Sequence, residues 1–470
     1  MMKQLTSVLL LAGVLSGCSL APTYQRPEAP IATAYPADPG QGAAAASTTG
    51  WREFFPDRRL QTLIAAALDN NRDLRIAALR IEEARAQYNI QSADLLPTFN
   101  AGVSGSRART VAGVSPLGVS TVGTAYQVGL SLASFELDFF GRVRSLNDAS
   151  LAQFLATEEA ARSARISLIA EVAKAYLAER AFAEQYDLAR QTFESRQTAY
   201  KLAQQRFEVG ASSALDLRQN ETLVQTARAS LATLARQRAQ AVNALTLLVG
   251  RPLSDLPPPS NLSEQNIVTD IPSGLPSELL TRRPDIRGAE QRLLASNANI
   301  GAARAAFFPR ISLTAGIGTA SSELSGLFET GSRTWSFAPS LVLPIFDAGR
   351  NSANLDIAQV RKNVAVADYE KTIQTAFREV SDALVARATL EEQIDAQRAV
   401  QEAQAERLKL ADQRYQAGVS SSLDVLDAQR ELFSAQQSLV QARLLRLTNA
   451  IDLYRSLGGG LNEVTVAQTK

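Results

Sequence analysis

Residues 201–216 read KLAQQRFEVGASSALD, and residues 409–424 read KLADQRYQAGVSSSLD. The two stretches share their order of residue types and stand 208 positions apart. The same offset carries Gly141, Gly210 and Gly250 onto Gly349, Gly418 and Gly458. In neither copy does any Gly or Pro fall between the first and second glycine, or between the second and third. A match at fixed offset over this length is an internal repeat, and it settles the organisation before any single residue does. The chain is written twice.

The Gly- and Pro-free stretches are helical by content. Ala, Leu, Gln, Glu and Arg dominate them, and apolar residues recur at three and four, as in Leu168, Ile169, Val172 and Tyr176. A helix of about seventy residues is a rod of roughly 100 Å at 1.5 Å per residue. Helices that long need neighbours along their whole length, which implies a coiled-coil-like bundle. Gly210 and Gly418 then mark hairpin tips, because glycine readily takes the positive φ that ends a helix. Each copy becomes one very long helix, a tight turn and a return helix of about forty residues.

Ahead of each long helix the hydrophobic period falls from 3.6 to 2. Ile311, Leu313, Ala315 and Ile317 alternate with small or polar residues, and Trp335, Phe337, Leu341, Leu343 and Ile345 continue the pattern. The first copy offers Tyr126, Val128, Leu130 and Leu132, with a weaker strand near Thr98 to Ser106. Strands of about ten alternating residues suit a membrane barrel, and a soluble β-sandwich is the competing reading. Four strands cannot close a barrel, and lipid tolerates no open sheet edge. A membrane assignment therefore requires an oligomer that shares its barrel.

Each strand pair opens at a proline, Pro97 or Pro309, behind a shorter helix in which Asp73-Leu74-Arg75 answers Asp285-Ile286-Arg287 and Arg80 answers Arg292. These pairs stand 212 apart rather than 208. The strand-linking loops, about 107–123 and 321–334, are expected to absorb the difference.

Composition removes whole classes of function. Lys+Arg is 48 against Asp+Glu 47, so no basic excess suggests nucleic acid. His is absent and Cys occurs once, which removes His metal sites, Ser/His/Asp triads and intrachain disulfides. The chain has no G-x-x-x-x-G-K-[ST] or G-x-S-x-G pattern. No metal, no cofactor and no enzymatic activity are expected. Ala supplies about one residue in six, which favours helix and close helix packing.

The remaining segments divide as follows. Residues 1–17, with Lys3 before the apolar run Val8 to Leu15, read as a signal peptide too short to span a bilayer. Residues 18–50 read as an irregular Ala/Pro-rich tether, 51–250 as the first repeat, 251–276 as a Pro-rich connector, 277–458 as the second repeat and 459–470 as a tail. Within the repeats, strands are expected at about 97–140 and 309–346, and helical hairpins at 142–249 and 350–457. Leu15-Ser16-Gly17-Cys18 resembles the bacterial lipobox, an ordinary signal peptide with an incidental Cys being the alternative. That resemblance implies a covalent lipid on Cys18, and Ser19 behind it implies an outer-membrane address.

Several motifs together are similar to one known family. They are Trp51 with Phe54-Phe55 and Leu60, then Asn71-Arg72-Asp73-Leu74-Arg75, and Phe135-Glu136-Leu137-Asp138 with Gly141-Arg142. Arg282-Arg283-Pro284-Asp285-Ile286 follows, then Pro344-Ile345-Phe346-Asp347 with Gly349-Arg350, and Asp424-Val425-Leu426-Asp427-Ala428-Gln429. In this order they resemble the TolC-like outer-membrane factors, and among them the OprM-like (NodT-type) lipoproteins of RND efflux systems. The resemblance implies a mainly α fold with a membrane β-barrel portion. In that fold a homotrimer closes a twelve-stranded barrel over an α-helical periplasmic tunnel, with the connector at an equatorial belt. It further implies a periplasmic adaptor protein, an inner-membrane RND-type pump and outer-membrane lipid as partners, with no nucleic acid.

The same resemblance implies a periplasmic gate at Leu423, Asp424, Asp427 and Tyr415. Asp424 and Asp427 are three apart on a helix and share a face. In the first repeat Asp216 matches Asp424, but Gln219 stands where the second has Asp427. A helix-capping role is the other reading of Asp424 and Asp427, because acids in a first turn complement the helix dipole. Tyr415 reads equally as a latch residue or as packing, since Phe207 fills its place in the first copy and Ser420 departs from the family's arginine. A type I protein-secretion duct and a non-conducting coiled-coil scaffold are the other functions the sequence allows.

Overall fold

The computed structural model describes residues 19–35, 49–114, 118–268 and 276–465. Among them, α1 (Trp51–Phe54), α2 (Arg58–Asn70) and α3 (Arg72–Ala93) precede strands β1 (Phe99–Thr110) and β2 (Thr121–Glu136). Helices α4 (Arg142–Glu208), α5 (Ala214–Val249), α6 (Pro276–Arg282) and α7 (Pro284–Ala305) follow. Strands β3 (Arg310–Ser321) and β4 (Arg333–Val342) then lead into α8 (Arg350–Gln416) and α9 (Ser422–Ser456). α4 and α8 are each 67 residues long, and α3 and α7 each 22. None of the described helices is long and apolar enough to cross a membrane.

The chain forms two compact units. One holds the described part of Met1–Glu28 with Arg80–Glu158 and Gly288–Tyr369, and so contains the sheet. The other holds Ala29–Leu79, Glu159–Arg287 and Glu370–Lys470, again in their described parts.

In the first unit the four strands pair antiparallel in the order β1-β2-β3-β4. The register aligns Phe99 with Leu132, Leu132 with Ala315, and Ala315 with Phe337. Two residues further along each strand, Ala101, Leu130, Ile317 and Trp335 line up. Side chains alternate across a strand, so these rows share one apolar face. The other face is small and polar, as in the rows through Ser104, Gln127 and Ala320. There Gly318 lies so close to β2 that a Cβ would sit 2.2 Å from the Val128 carbonyl oxygen. Trp335 is 79% exposed, Phe99 69% and Ile317 67%, so the apolar face is uncovered within one chain. β1 and β4 are open edges.

Two expectations about the strands are corrected. Leu343 and Ile345 fall outside β4, which stops at Val342 opposite Arg310. Pro309 precedes β3 and Pro344 follows β4, and neither can donate to a ladder. The four extra residues of the first copy are not between the strands, since ten positions separate β1 from β2 and eleven separate β3 from β4. β2 has 16 residues against 10 in β4, an excess of six that the remaining segments between proline and glycine together reduce to four. β2 is paired on both sides, and its register shifts between Leu132 and Phe135 where β1 has ended but β3 continues.

The segment after Ser19 has no helix but is held along α7. Arg304 donates to the Leu20 carbonyl at 3.2 Å, and Asn297 to that of Pro22 at 2.7 Å. Arg26 grips Glu290 through two hydrogen bonds of 2.7 and 2.9 Å.

The second unit packs around α1. Trp51, Phe54, Phe55 and Leu60 are buried, and the Phe54 ring stacks on Tyr454 at 4.0 Å. Asp57 caps α2 by accepting from the Arg59 and Leu60 amides, and also accepts from Tyr176 Oη at 2.8 Å and Gln265 Nε2 at 2.7 Å. Burial alone would raise its pKa, but the bonds from Gln265, Tyr176 and the two amides outweigh burial and hold the carboxyl below its ordinary range. Leu168, Ile169, Val172 and Tyr176 are buried on α4, as their spacing predicts. Arg283, also buried, pairs with Asp285 at 2.6 Å and Glu379 at 2.9 Å and donates to the Ser456 carbonyl.

Candidate functional site at the hairpin tips

Gly210 and Gly418 lie between α4 and α5 and between α8 and α9, each with φ +75°. At the first turn the Gly210 amide donates to the Phe207 carbonyl and the Ala211 amide to that of Arg206. At the second, Gly418 donates to Tyr415 and Val419 to Arg414. Both turns are Schellman stops, in which a left-handed residue lets two amides satisfy the last helical carbonyls. No atom lies within 4 Å of where a Cβ would stand on either glycine, so backbone conformation, not crowding, calls for Gly.

The return helices start differently. At α5, Ser213 and Asp216 form a reciprocal capping box: Ser213 Oγ accepts from the Asp216 amide, and the Asp216 carboxylate accepts from the Ser213 amide. The Ser213 hydroxyl also donates to this carboxylate at 2.8 Å, and that bond is the largest influence lowering the Asp216 pKa. At α9 the sequence again reads Ser-x-x-Asp, from Ser421 to Asp424, but the N-cap makes no side-chain bond. Ser422 instead donates across to Asp216 Oδ1 at 3.2 Å.

A second tie joins the two tips. Arg206, on α4, donates through Nη1 to Tyr415 Oη on α8 at 2.6 Å, and its guanidinium lies 5.8 Å from the Tyr415 ring centre. A cleft of about 460 Å³ opens here, lined among others by Arg206, Asp216, Tyr415, Ser422, Leu426 and Gln429. The structure thus brings Tyr415 together with Arg206, a residue that sequence reasoning passed over. Only its place beside Phe207, the counterpart of Tyr415, hinted at it.

The other candidates sit on α9. Leu423 is 47% exposed and Asp424 is exposed, whereas Val425, Leu426 and Ala428 are buried. Asp427 is half-buried and pairs with Arg430 at 3.2 Å. Within one chain, then, the acids stand on the uncovered side of a helix whose other side packs. Cys18 lies outside the described residues.

The outer membrane efflux protein family model matches residues 63–251 and 275–459. The chain is 51% identical to outer membrane protein OprJ of Pseudomonas aeruginosa, over 97% of this chain and 96% of that one. It is 48% identical to the probable efflux pump outer membrane protein TtgC of Pseudomonas putida, over 99% of this chain and 97% of that one. The chain belongs to the outer membrane efflux protein family. Among solved structures, the open-state MtrE outer membrane channel of Neisseria gonorrhoeae is similar with a TM-score of 0.88 and 43% identity. That match covers 96% of this chain and all of the MtrE chain. The protein is an outer-membrane channel component of an efflux system.

The motifs that carried the family resemblance have physical reasons in this chain. Glu136 accepts from Nε and Nη2 of Arg142, each at 2.8 Å, and Asp138 pairs with Arg144. These bonds fix the passage from β2 into α4. Asp347 caps α8 in the equivalent passage, accepting from the Gly349 and Asn351 amides at 3.0 and 2.9 Å. In this outer membrane efflux protein, helix entry is therefore secured by side chains on both sides of the sheet's helix-proximal end.

Proposed function

We propose that three copies of the chain close one twelve-stranded barrel and continue it into a helical tunnel through the periplasm. This duct passively conducts drugs or other small molecules from a periplasmic adaptor and an RND-type inner-membrane pump to the exterior. The observation that carries the proposal is the sheet, with one exposed apolar face, one small polar face and two unpaired edges. An isolated sheet of this kind is unstable in lipid, whereas joining β4 of one copy to β1 of the next removes every edge. The diacylglyceryl group on Cys18 adds a second hold on the membrane.

In this duct the two hairpins of each chain narrow the periplasmic mouth. Leu423, Asp424 and Asp427 face the axis, and each carboxylate repeats as a ring of three. Like charges about 4 Å apart repel by roughly 4 kcal/mol at an effective dielectric near 20. Ties such as Arg206–Tyr415 oppose that repulsion. Single-channel recording of the purified protein tests the whole scheme. The wild type is expected to conduct cation-selectively and to be blocked by multivalent cations, and Asp427→Asn to lose most of that block. Absence of conductance would refute the duct; identical block in both proteins would refute the gate.

A further inference from the structure

The apolar face of the sheet ends in arginines. On β1, Arg107 and Arg109 share a face with Phe99, Ala101 and Val103, because their positions differ by even numbers. On β4, Arg333 shares that face with Trp335 and Phe337 and aligns with Thr319. Arg107 and Arg109 align with Thr124 and Val122 on β2, neither of which is charged. All three arginines are exposed, and none has an ion-pair partner among the described residues. The small polar face carries charge only at its helix-proximal end, where Arg310 pairs with Glu136. The unpaired cations are therefore confined to the face that meets lipid, at the end of the sheet away from the helices.

Their height fits a headgroup layer. Arg109 lies ten residues beyond Phe99, roughly 34 Å along a strand, or about 26 Å of height at a tilt near 40°. The apolar band of an outer-membrane barrel is about 25 Å tall. An arginine just above that band keeps its stem on apolar surface and its guanidinium in the polar layer. Joining β1 of one chain to β4 of the next gathers Arg107 and Arg109 with the neighbour's copy of Arg333 at each seam.

We infer that Arg107, Arg109 and Arg333 form a binding site for the phosphate groups of lipopolysaccharide in the outer leaflet. The planar guanidinium matches phosphate oxygens two at a time. The apolar rows below, with Tyr126 lying against Gly105, give the acyl chains their surface. A free anion would use only the first feature; a phosphorylated glycolipid uses both. The inference rests on the barrel proposed above.

The test uses the purified full-length protein in detergent, wild type beside R107Q/R109Q/R333Q and the corresponding triple lysine variant. Binding of lipopolysaccharide, dephosphorylated lipopolysaccharide, phosphatidylglycerol and inorganic phosphate is measured for each. One arginine near an anionic surface contributes about a fivefold factor, so the triple Gln variant should bind lipopolysaccharide on the order of a hundredfold more weakly. The lysine variant should stay within about tenfold of wild type. Equal affinity of wild type and Gln variant overturns the site. Wild-type binding that survives dephosphorylation, or that inorganic phosphate or phosphatidylglycerol matches, overturns the assigned ligand. Conductance is recorded in parallel: both proteins conducting while only binding falls supports the site, and no conductance from either refutes the barrel beneath it. If the triple Gln variant alone fails to conduct, R107Q/R109Q and R333Q are measured in its place, with losses of about twenty-fivefold and fivefold expected.

Discussion

Tyr415→Phe removes a single oxygen from the tip and leaves the ring in place. The 2.6 Å bond from Arg206 Nη1 is lost, while the guanidinium keeps its position 5.8 Å from the ring centre. A hydrogen bond with one charged partner contributes about 1.5–3 kcal/mol when shielded. This one is exposed, and solvent screening reduces it to about 1 kcal/mol. If the tie exists only when the tips are drawn in, its loss shifts one chain's closed-to-open ratio about fivefold. Three chains opening together shift it on the order of a hundredfold. Single-channel open probability in planar bilayers measures this directly, for Y415F, R206Q and the double variant. Both singles are expected to open more, and the double no more than either, because they remove the same bond. Additive effects, or an unchanged open probability in all three, would refute the tie as a closing device.

Other outcomes follow from the same geometry. Gly210→Ala and Gly418→Ala should each lower stability by about 1 kcal/mol, because φ is +75° and nothing crowds the new methyl. Thermal unfolding of the detergent-solubilised protein checks this, and a loss several times larger would mean the tips are packed. Asp57→Asn should cost about 2–3 kcal/mol, since the carboxylate accepts from Tyr176, Gln265 and two amides. Because the folded pKa of Asp57 is depressed, its contribution is full above the unfolded value of about 3.9 and lost as pH falls through the folded one. The gap in unfolding temperature between wild type and variant should thus narrow as pH falls below that unfolded value, and a gap that does not narrow on acidification would contradict the assignment. Arg283→Met leaves Asp285, Glu379 and the Ser456 carbonyl without their shared donor and should cost about 3–5 kcal/mol, read by chemical denaturation.

The helices were legible because their signal is a long absence of Gly and Pro, which neighbouring structure cannot easily override. The caps were half legible. Ser213-x-x-Asp216 and Ser421-x-x-Asp424 carry the same local pattern, and only the first closes its box. At the second start Ser422 instead sends its hydroxyl to Asp216 on the other hairpin, and no local pattern records that. β1 was faint because its polar face is Gly and Ser and its apolar face ends in Arg107 and Arg109. β4 was overextended because alternation continues through Leu343 and Ile345 although the ladder ends at Val342, opposite Arg310 at the start of β3. The pairing of Arg206 with Tyr415 joins residues 209 apart, so only packing could show it.

The two tips resemble each other in backbone and differ in where their side chains are spent. The first commits Asp216 to its own helix start and to Ser422, and commits Arg206 to Tyr415. The second therefore receives partners from the first for Ser422 and Tyr415, and its own N-cap makes no side-chain bond. Repulsion between copies of Asp424 and Asp427 would act on the less firmly capped helix, while the capping box keeps the neighbouring tip in shape. Under the gate proposed above, the first hairpin would serve as frame and the second as moving part. It follows that breaking the Ser213–Asp216 box should loosen the gate more than any change at Ser421.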